Sequence, residues 1–411
     1  MLRTIGGKPT GRLRARVGTA VIGVGLLILT AACGGSSDGA EGGKSGPYLI
    51  GITDDMSGPV SAYGQAVQKV WTAYIKKVNA AGGINGRQLK LETLDDKSDT
   101  TTMVQNVRKL ISDEAMVIDG STLSTNCKAA APVVTRAKVP MSCWAVSDEL
   151  VGPDNKYIFS RTPLGQLSAK PMFQFAKNQV KSSAPRLTIL GNTSGTCQAF
   201  AKEAARLAPG GGWTVAGNLS ADLADGTDFT AQAAQVTASH ADAFVYCVSG
   251  QGIIALPRRL KALGSNMIIE SLSADQQGLM LLKDPKFYQL WHKEYTPPAP
   301  SGGEAKNYVD TLATQGIKDD RVNLDQVGQS YFAIAQIVAS LKKCGADCTP
   351  EKLATKMQQT VINIKGVTGP SGYGYQFPDR QMPITSVAMF HYDPATDAPK
   401  QSGPAYNLGT E

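Results

Sequence analysis

The sequence predicts an α/β protein made of two similar units in series. Three observations carry that expectation. Short apolar runs alternate with amphipathic helical stretches, which implies mostly parallel sheets covered on both faces. The alternation restarts near Arg186. Of the 411 residues, 379 follow Ala32, too many for one core and suited to two domains of ordinary size.

The first unit opens with a strand from Tyr48 to Ile52. A helix follows from about Tyr63 to Ala80, with Ala66, Val70, Ala73, Tyr74 and Val78 at helical spacing. Leu89, Leu91 and Leu94 mark a second strand, and Met103, Val107, Leu110 and Ile111 a second helix. A strand at Ala115–Ile118, a helix near Cys127–Ala137 and a strand at Val139–Cys143 complete the unit. Gly82 and Gly83 end the first helix in the left-handed conformation, and Gly86 turns the chain into the next strand.

The second unit begins with a strand at Arg186–Leu190 and a helix through Phe200 and Ala204. Strands at Trp213–Ala216, Ala243–Val248 and Met267–Ile269 alternate with helices at Phe229–Val236 and Ile253–Leu263. Helices at about Ala305–Gln315, Leu324–Leu341 and Pro350–Gln359 come next. A β-rich tail, Gly374–Phe377 and Thr385–Phe390, closes the chain.

Upstream of the folded units lies an export signal. Residues 1–32 carry five cations (Arg3, Lys8, Arg12, Arg14, Arg16) and no acid, then an apolar run from Val17 to Leu29, then small residues closing on Cys33. The run is shorter than the roughly 20 residues that span a bilayer. The end, Leu29-Thr30-Ala31-Ala32-Cys33, resembles a bacterial lipobox, with Thr30 where Leu is usual. That resemblance implies a signal peptide at 1–32, a lipid on Cys33 and an extracytoplasmic protein anchored to the cell membrane. Residues 33–46 then read as a flexible tether, Gly/Ser-rich and without large apolar side chains. Gly35-Ser36-Ser37-Asp38-Gly39 mimics a hydrolase elbow but has no strand and helix around it, so it is linker composition. Gly43-Lys44-Ser45 likewise lacks the earlier glycine of a phosphate loop, because position 38 is Asp.

Charge narrows the function further. The chain has 41 basic and 34 acidic residues; without the five cations of the signal, 36 basic face 34 acidic, about +2. No basic block is present, so nucleic acid is not an expected partner. The three histidines lie far apart and no Cys/His spacing forms a zinc site, so neither metal nor cofactor is expected. No nucleophile–base pair or complete nucleotide loop is evident; Gly250-Gln251-Gly252 is only a fragment of a dinucleotide fingerprint. The chain is therefore not expected to be an enzyme.

Beyond Cys33, six cysteines remain, an even set that reads as bridges in an oxidising compartment. Cys344 and Cys348 are close enough for a small loop. Cys127, Cys143, Cys197 and Cys247 all fall at carboxyl edges of parallel strands, and pairings Cys127–Cys143 and Cys197–Cys247 are expected.

From Tyr48 to about residue 390 the chain resembles the type I periplasmic binding proteins, specifically the branched-chain amino acid (Leu/Ile/Val-binding) receptors of ABC transporters. The resemblance rests on Met56-Ser57-Gly58-Pro59 with Tyr63-Gly64, on Asn79-Ala80-Ala81-Gly82-Gly83-Ile84-Asn85-Gly86-Arg87 leading to Asp95-Asp96, on Thr227-Asp228-Phe229, and on Gly366-Val367-Thr368-Gly369-Pro370. It implies two Rossmann-like lobes with parallel sheets joined by a three-segment hinge. The lobes would be 48–163 plus 280–363 and 164–279 plus 364–411. A small-molecule solute would sit between them, and closure would be read by an ABC permease in the membrane or, alternatively, by a signalling partner. The receptor would act as a monomer.

The resemblance also implies a site. Ser124 and Thr125 match the loop that holds a ligand carboxylate, where helix-start amides suit an anion. Ala145 and Ser147 match the loop that receives an ammonium, and Tyr63 would wall the pocket. Ser57 lies at the carboxyl edge of the first strand, where open α/β sheets place ligands. The second lobe departs from the pattern. Thr196-Cys197 replaces a Tyr-Gly pair, and Val248-Ser249-Gly250-Gln251 replaces a Gly-Gly-Tyr loop. The acid that anchors the ammonium would be Glu270 or Asp275. With two aromatic walls gone, Trp144 offers another, and the ligand could be an amino acid, an aromatic or short-chain acid, or a small amide.

Overall fold

The structure is a computed structural model, and it describes residues 46–58, 60–144, 150–162, 165–222, 228–248, 252–272, 276–292, 306–308, 310–311, 324–364, 372–375, 383 and 385–408. The export signal, Cys33, Ala145, Ser147, Gln251 and Asp275 lie outside the described residues.

Two sheets form two lobes, in which β1–β5 build the first and β6–β12 the second. Strands β1 (Tyr48–Asp54), β2 (Leu89–Asp95), β3 (Val117–Asp119), β4 (Met141–Cys143) and β5 (Ile158–Ser160) stand in the order β2-β1-β3-β4-β5, all parallel. Every residue of β1 is buried, as expected of a parallel strand covered on both faces. Helices α1 (Ser61–Ala80), α2 (Thr100–Ser112) and α3 (Ser124–Ala137) make the crossovers.

The second sheet repeats the order. Strands β6 (Arg186–Asn192), β7 (Thr214–Ala221), β8 (Ala243–Cys247), β9 (Ile268–Ser271) and β10 (Phe287–His292) run β7-β6-β8-β9-β10 in parallel. Helices α4 (Ala169–Gln179), α5 (Gly195–Leu207), α6 (Thr230–Ala238), α7 (Gly252–Ala262) and α8 (Gln276–Leu282) belong to it. Two antiparallel strands, β11 (Thr385–Asp393) and β12 (Ala398–Leu408), extend its far edge.

Helices α9 (Leu324–Cys344) and α10 (Pro350–Gln359) return to the first lobe. Their Tyr331, Phe332, Leu341, Leu353 and Met357 share one core with Ile50, Val70 and Trp71. Trp71 Nε1 donates to Ser330 Oγ at 2.9 Å inside that core.

Two expected lobe boundaries need correction. β10 pairs with β9, Tyr288 opposite Glu270, so the chain stays in the second sheet well past residue 280. Conversely, Tyr373 and Tyr375 belong to the first core, with ring centroids 5.5 Å from Phe332 and 4.9 Å from Phe159, so the chain stays in the first lobe past residue 363. The physical reason is the same in both cases: a short apolar run remains with the sheet or core that buries it.

The chain enters the first lobe through a tight grip. Tyr48 is fully buried, its ring lies 3.7 Å below the Arg87 guanidinium, and its hydroxyl donates to Gly345 O at 3.3 Å. Arg87 Nε donates back to Gly46 O at 2.6 Å. Gly82, Gly83 and Gly86 take φ of 97°, 78° and 76°, the left-handed values expected of them. A Cβ at Gly83 would lie 2.2 Å from Arg87 O, so the tight turn before β2 admits no side chain there.

Candidate functional site

In each sheet the strand order reverses beside its first strand, between β1 and β3 and between β6 and β8. Crevices for ligands form at the carboxyl ends of strands at such switch points. The residues placed there fall on both lobes.

In the first lobe, Asp54 ends β1 and Asp119 ends β3. The loop that follows β3 leads into α3, whose N-cap Leu123 offers no side-chain hydrogen bond. The first-turn N–H groups of α3 therefore present partial positive charge at the cleft edge. Ser124 is not a helix cap: its hydroxyl donates to Trp144 O at 3.0 Å. Thr125 is exposed on the same turn, and Trp144 is half-buried beside it. Ser57 is exposed at the end of β1, and its hydroxyl donates to Asp95 Oδ2 at 2.5 Å. Tyr63 is half-buried in the first turn of α1.

The second lobe meets this edge with the start of α5. Ser194 caps that helix, its hydroxyl accepting from Cys197 N at 3.4 Å. Thr196 Oγ1 lies 3.2 Å from Ser124 Oγ, a hydrogen bond between the lobes. A Cβ on Gly195 would stand 3.6 Å from the Ser124 Cβ. Two helix starts, one from each lobe, thus face each other across a gap that two hydroxyls already close. Ser124, Thr196 and the Trp144 carbonyl are brought together. Ser57 and Tyr63 sit on the same edge of the first sheet.

Cysteine sulphurs stand at disulfide distance in the three expected pairs, with Cα separations of 6.3 Å for Cys127 and Cys143, 5.0 Å for Cys197 and Cys247, and 5.3 Å for Cys344 and Cys348. The first pair lies between the start of α3 and the end of β4, and the second between the start of α5 and the end of β8.

Glu270 departs from expectation in position. It lies within β9, not after it, in register with Val245 and Tyr288. It is fully buried, and neither carboxylate oxygen has a hydrogen-bond partner among the described residues. Burial pushes its pKa well above the ordinary carboxylate range.

The sequence reading missed the groups that hold the first-lobe loop. Asp54 Oδ1 accepts from Thr122 N at 2.8 Å and from Thr122 Oγ1 at 2.6 Å. Asp96 Oδ2 accepts from Asn126 Nδ2 at 3.0 Å, in the first turn of α3. Arg161, almost fully buried just after β5, donates to Asp119 Oδ2 at 3.0 Å and to Gly120 O at 3.2 Å. Burial raises Asp96 to about 6 and Asp119 to about 7, in the latter case against the pull of Arg161. An aspartate ending an otherwise apolar strand, as in Val117-Ile118-Asp119, is the sequence signal that points to this loop.

Comparison with known proteins places this arrangement. A family model described as periplasmic binding protein matches residues 47–397. A Leu/Ile/Val-binding protein homolog of Brucella abortus is 38% identical over 72 residues, 18% of this chain and 19% of that one. A leucine-, isoleucine-, valine-, threonine-, and alanine-binding protein of Pseudomonas aeruginosa is 26% identical over 133 residues, 32% of this chain and 36% of that one. These matches thus span from about a fifth to about a third of the relatives' length. Among solved structures, an ABC transporter solute-binding protein of R. palustris in complex with 4-hydroxybenzoate aligns with a TM-score of 0.73 at 19% identity, over 88% of this chain and 98% of that one. A branched-chain amino acid receptor of Streptococcus pneumoniae in complex with isoleucine aligns with a TM-score of 0.70 at 18% identity, over 87% and 100% of the two chains. With its family match covering most of its length and its two doubly wound lobes, the chain belongs to the periplasmic binding protein family and has the type I fold of the Leu/Ile/Val-binding receptors.

Proposed function

We propose that the protein is an extracytoplasmic receptor of an ABC importer, held to the membrane by a lipid on Cys33, that captures a small carboxylate-bearing solute between its lobes. The observation that carries this reading is the meeting of the α3 and α5 helix starts, with Ser124 and Thr196 as opposing hydroxyls. Helix N-termini favour anions. The solutes in the two aligned receptors, 4-hydroxybenzoate and isoleucine, share little but a carboxylate, which supports the same choice.

In this reading, Ser124, Thr125 and nearby amides take the carboxylate. Ser147 and the Ala145 carbonyl, with Glu270 or Asp275, take a polar or cationic end. Tyr63 and Trp144 wall the pocket, with Ser57, Thr196 and Gln251 at its rim. The three cysteine pairs are bridges in the exported protein. Chemistry is non-covalent: closure exchanges the solute's hydration for fixed donors, and the closed form is what the permease reads.

Thermal melting of the purified protein against amino acids, aromatic acids, short-chain acids and small amides tests this. A solute at a hundred times its Kd adds about 2.7 kcal/mol to stability. A shift confined to one carboxylate-bearing class is the expected outcome. No shift with any of them, from folded protein free of carried-over solute, refutes the reading.

A further inference from the structure

We infer that Arg161 couples the solute loop to the hinge, so that loop geometry and lobe closure change together. The inference rests on the cleft reading above, but its first test does not need the solute.

Arg161 stands where the chain leaves β5 for the second lobe, in the first of the crossing segments. Hinge motion is absorbed by a few residues at such positions. The backbone there is not loose. Arg161 N donates to Cys143 O at 2.8 Å, and Arg161 O accepts from the Tyr373 hydroxyl at 3.4 Å. Tyr373 belongs to the first-lobe core, so this contact ties the start of the crossing chain to that core.

The guanidinium points the other way, into the base of the solute loop. It grips the Asp119 carboxylate and the Gly120 carbonyl, and Gly120 is the residue from which the loop to Ser124 departs. Thr122, two residues further on, is fixed to Asp54 through both its amide and its hydroxyl. The Arg161 charge also acts on Asp54. One residue therefore bonds the loop through its side chain and, through its backbone, Cys143 and Tyr373 where the crossing chain begins. A planar, five-donor guanidinium can hold the Asp119 carboxylate and the Gly120 carbonyl together; a lysine ammonium, a point charge, does not match both acceptors at once. Coupling between two sites is reciprocal, so loosening either end must loosen the other.

Amide hydrogen exchange on the full-length protein reads both directions. Arg161→Lys is expected to speed exchange across residues 118–127 at least tenfold while leaving β8, residues 243–247, unchanged. Thr122→Val, which removes only the hydroxyl bond to Asp54, is expected to speed exchange at 158–162 and 372–375 at least threefold. Tyr373→Phe, which keeps the ring in the core, should raise exchange at 118–127 and serves if Arg161→Lys does not fold. Acceleration that stays local to each substitution, or that is equal throughout the chain, overturns the coupling. If melting then identifies a solute, Arg161→Lys should bind it at least tenfold more weakly. A wild-type protein that binds none of the tested solutes removes the cleft reading and leaves the exchange result to decide the coupling.

Discussion

Glu270 holds an expensive position for a carboxyl group. Its folded-state pKa lies above the ordinary value because burial penalises the charge. Below about pH 4.5 both folded and unfolded chains keep the proton, and no cost arises. As pH rises past that point the unfolded chain releases its proton first, so stability falls until the folded group also ionises. Glu270→Gln is therefore expected to melt higher than wild type at pH 7–8 and equally at pH 4, as a melting series across that range would show. If Glu270 anchors the solute, the same substitution weakens binding while it stabilises the empty protein, the usual exchange between stability and function at a site. Arg161 is the opposite case, a buried ion whose partner is supplied. Replacing it with methionine strands Asp119, and loss of one partner of a buried pair costs about 3–5 kcal/mol. Urea unfolding should show that loss, and a variant within 1 kcal/mol of wild type would mean that water already solvates the pair.

Among the elements, the helices and central strands were legible in the sequence because their periodicity is that of a buried face. The expected strand Tyr48–Ile52 and helix Tyr63–Ala80 lie within β1 and α1. What escaped had a local reason. β12 contains Pro399 and Pro404 and carries no alternation, yet as the outermost strand it can lack amide donors on its free side. β10 is interrupted by Gln289, whose buried Oε1 accepts from Trp291 Nε1 at 3.2 Å. The placement of Ser124 and Thr196 at helix starts was legible, since strand–helix junctions put them there. The Asp54–Thr122 and Asp119–Arg161 contacts were not, because each joins residues more than forty apart. Two predictions belong here. Gly83→Ala puts a Cβ against Arg87 O at positive φ and should cost roughly 1–3 kcal/mol by denaturant unfolding. Paired Cys197→Ala and Cys247→Ala removes the proposed bridge between residues 50 apart, with an expected loss of about 4 kcal/mol on the loop-entropy model. An oxidised wild type that melts with the double variant would show that the pair is not bonded.

For the whole molecule, the proposed function turns on the balance between open and closed lobes. The Ser124–Thr196 contact is a bond between lobes that needs no solute. Such a hydrogen bond is worth about 1 kcal/mol, or roughly a fivefold bias. Thr196→Val should shift the empty protein toward the open form, seen in small-angle scattering as a larger radius of gyration. An unchanged radius would mean that other contacts set the resting angle. The two sheets keep the same strand order, and each carries a cysteine pair from a cleft-side helix start to a strand end. In the proposed receptor, bridges at these pairs would stiffen each lobe on its own and leave motion to the crossings between them.

The grip on Tyr48 has a mechanical consequence. A pull on the upstream chain enters at the amino end of β1, the pole of the first sheet opposite Ser124. There it meets the Arg87 clamp and the bond to Gly345. In the proposed tethered receptor that load would be borne within one lobe, so a leash of any length would hold it by the half that carries Tyr48. The other half would swing freely.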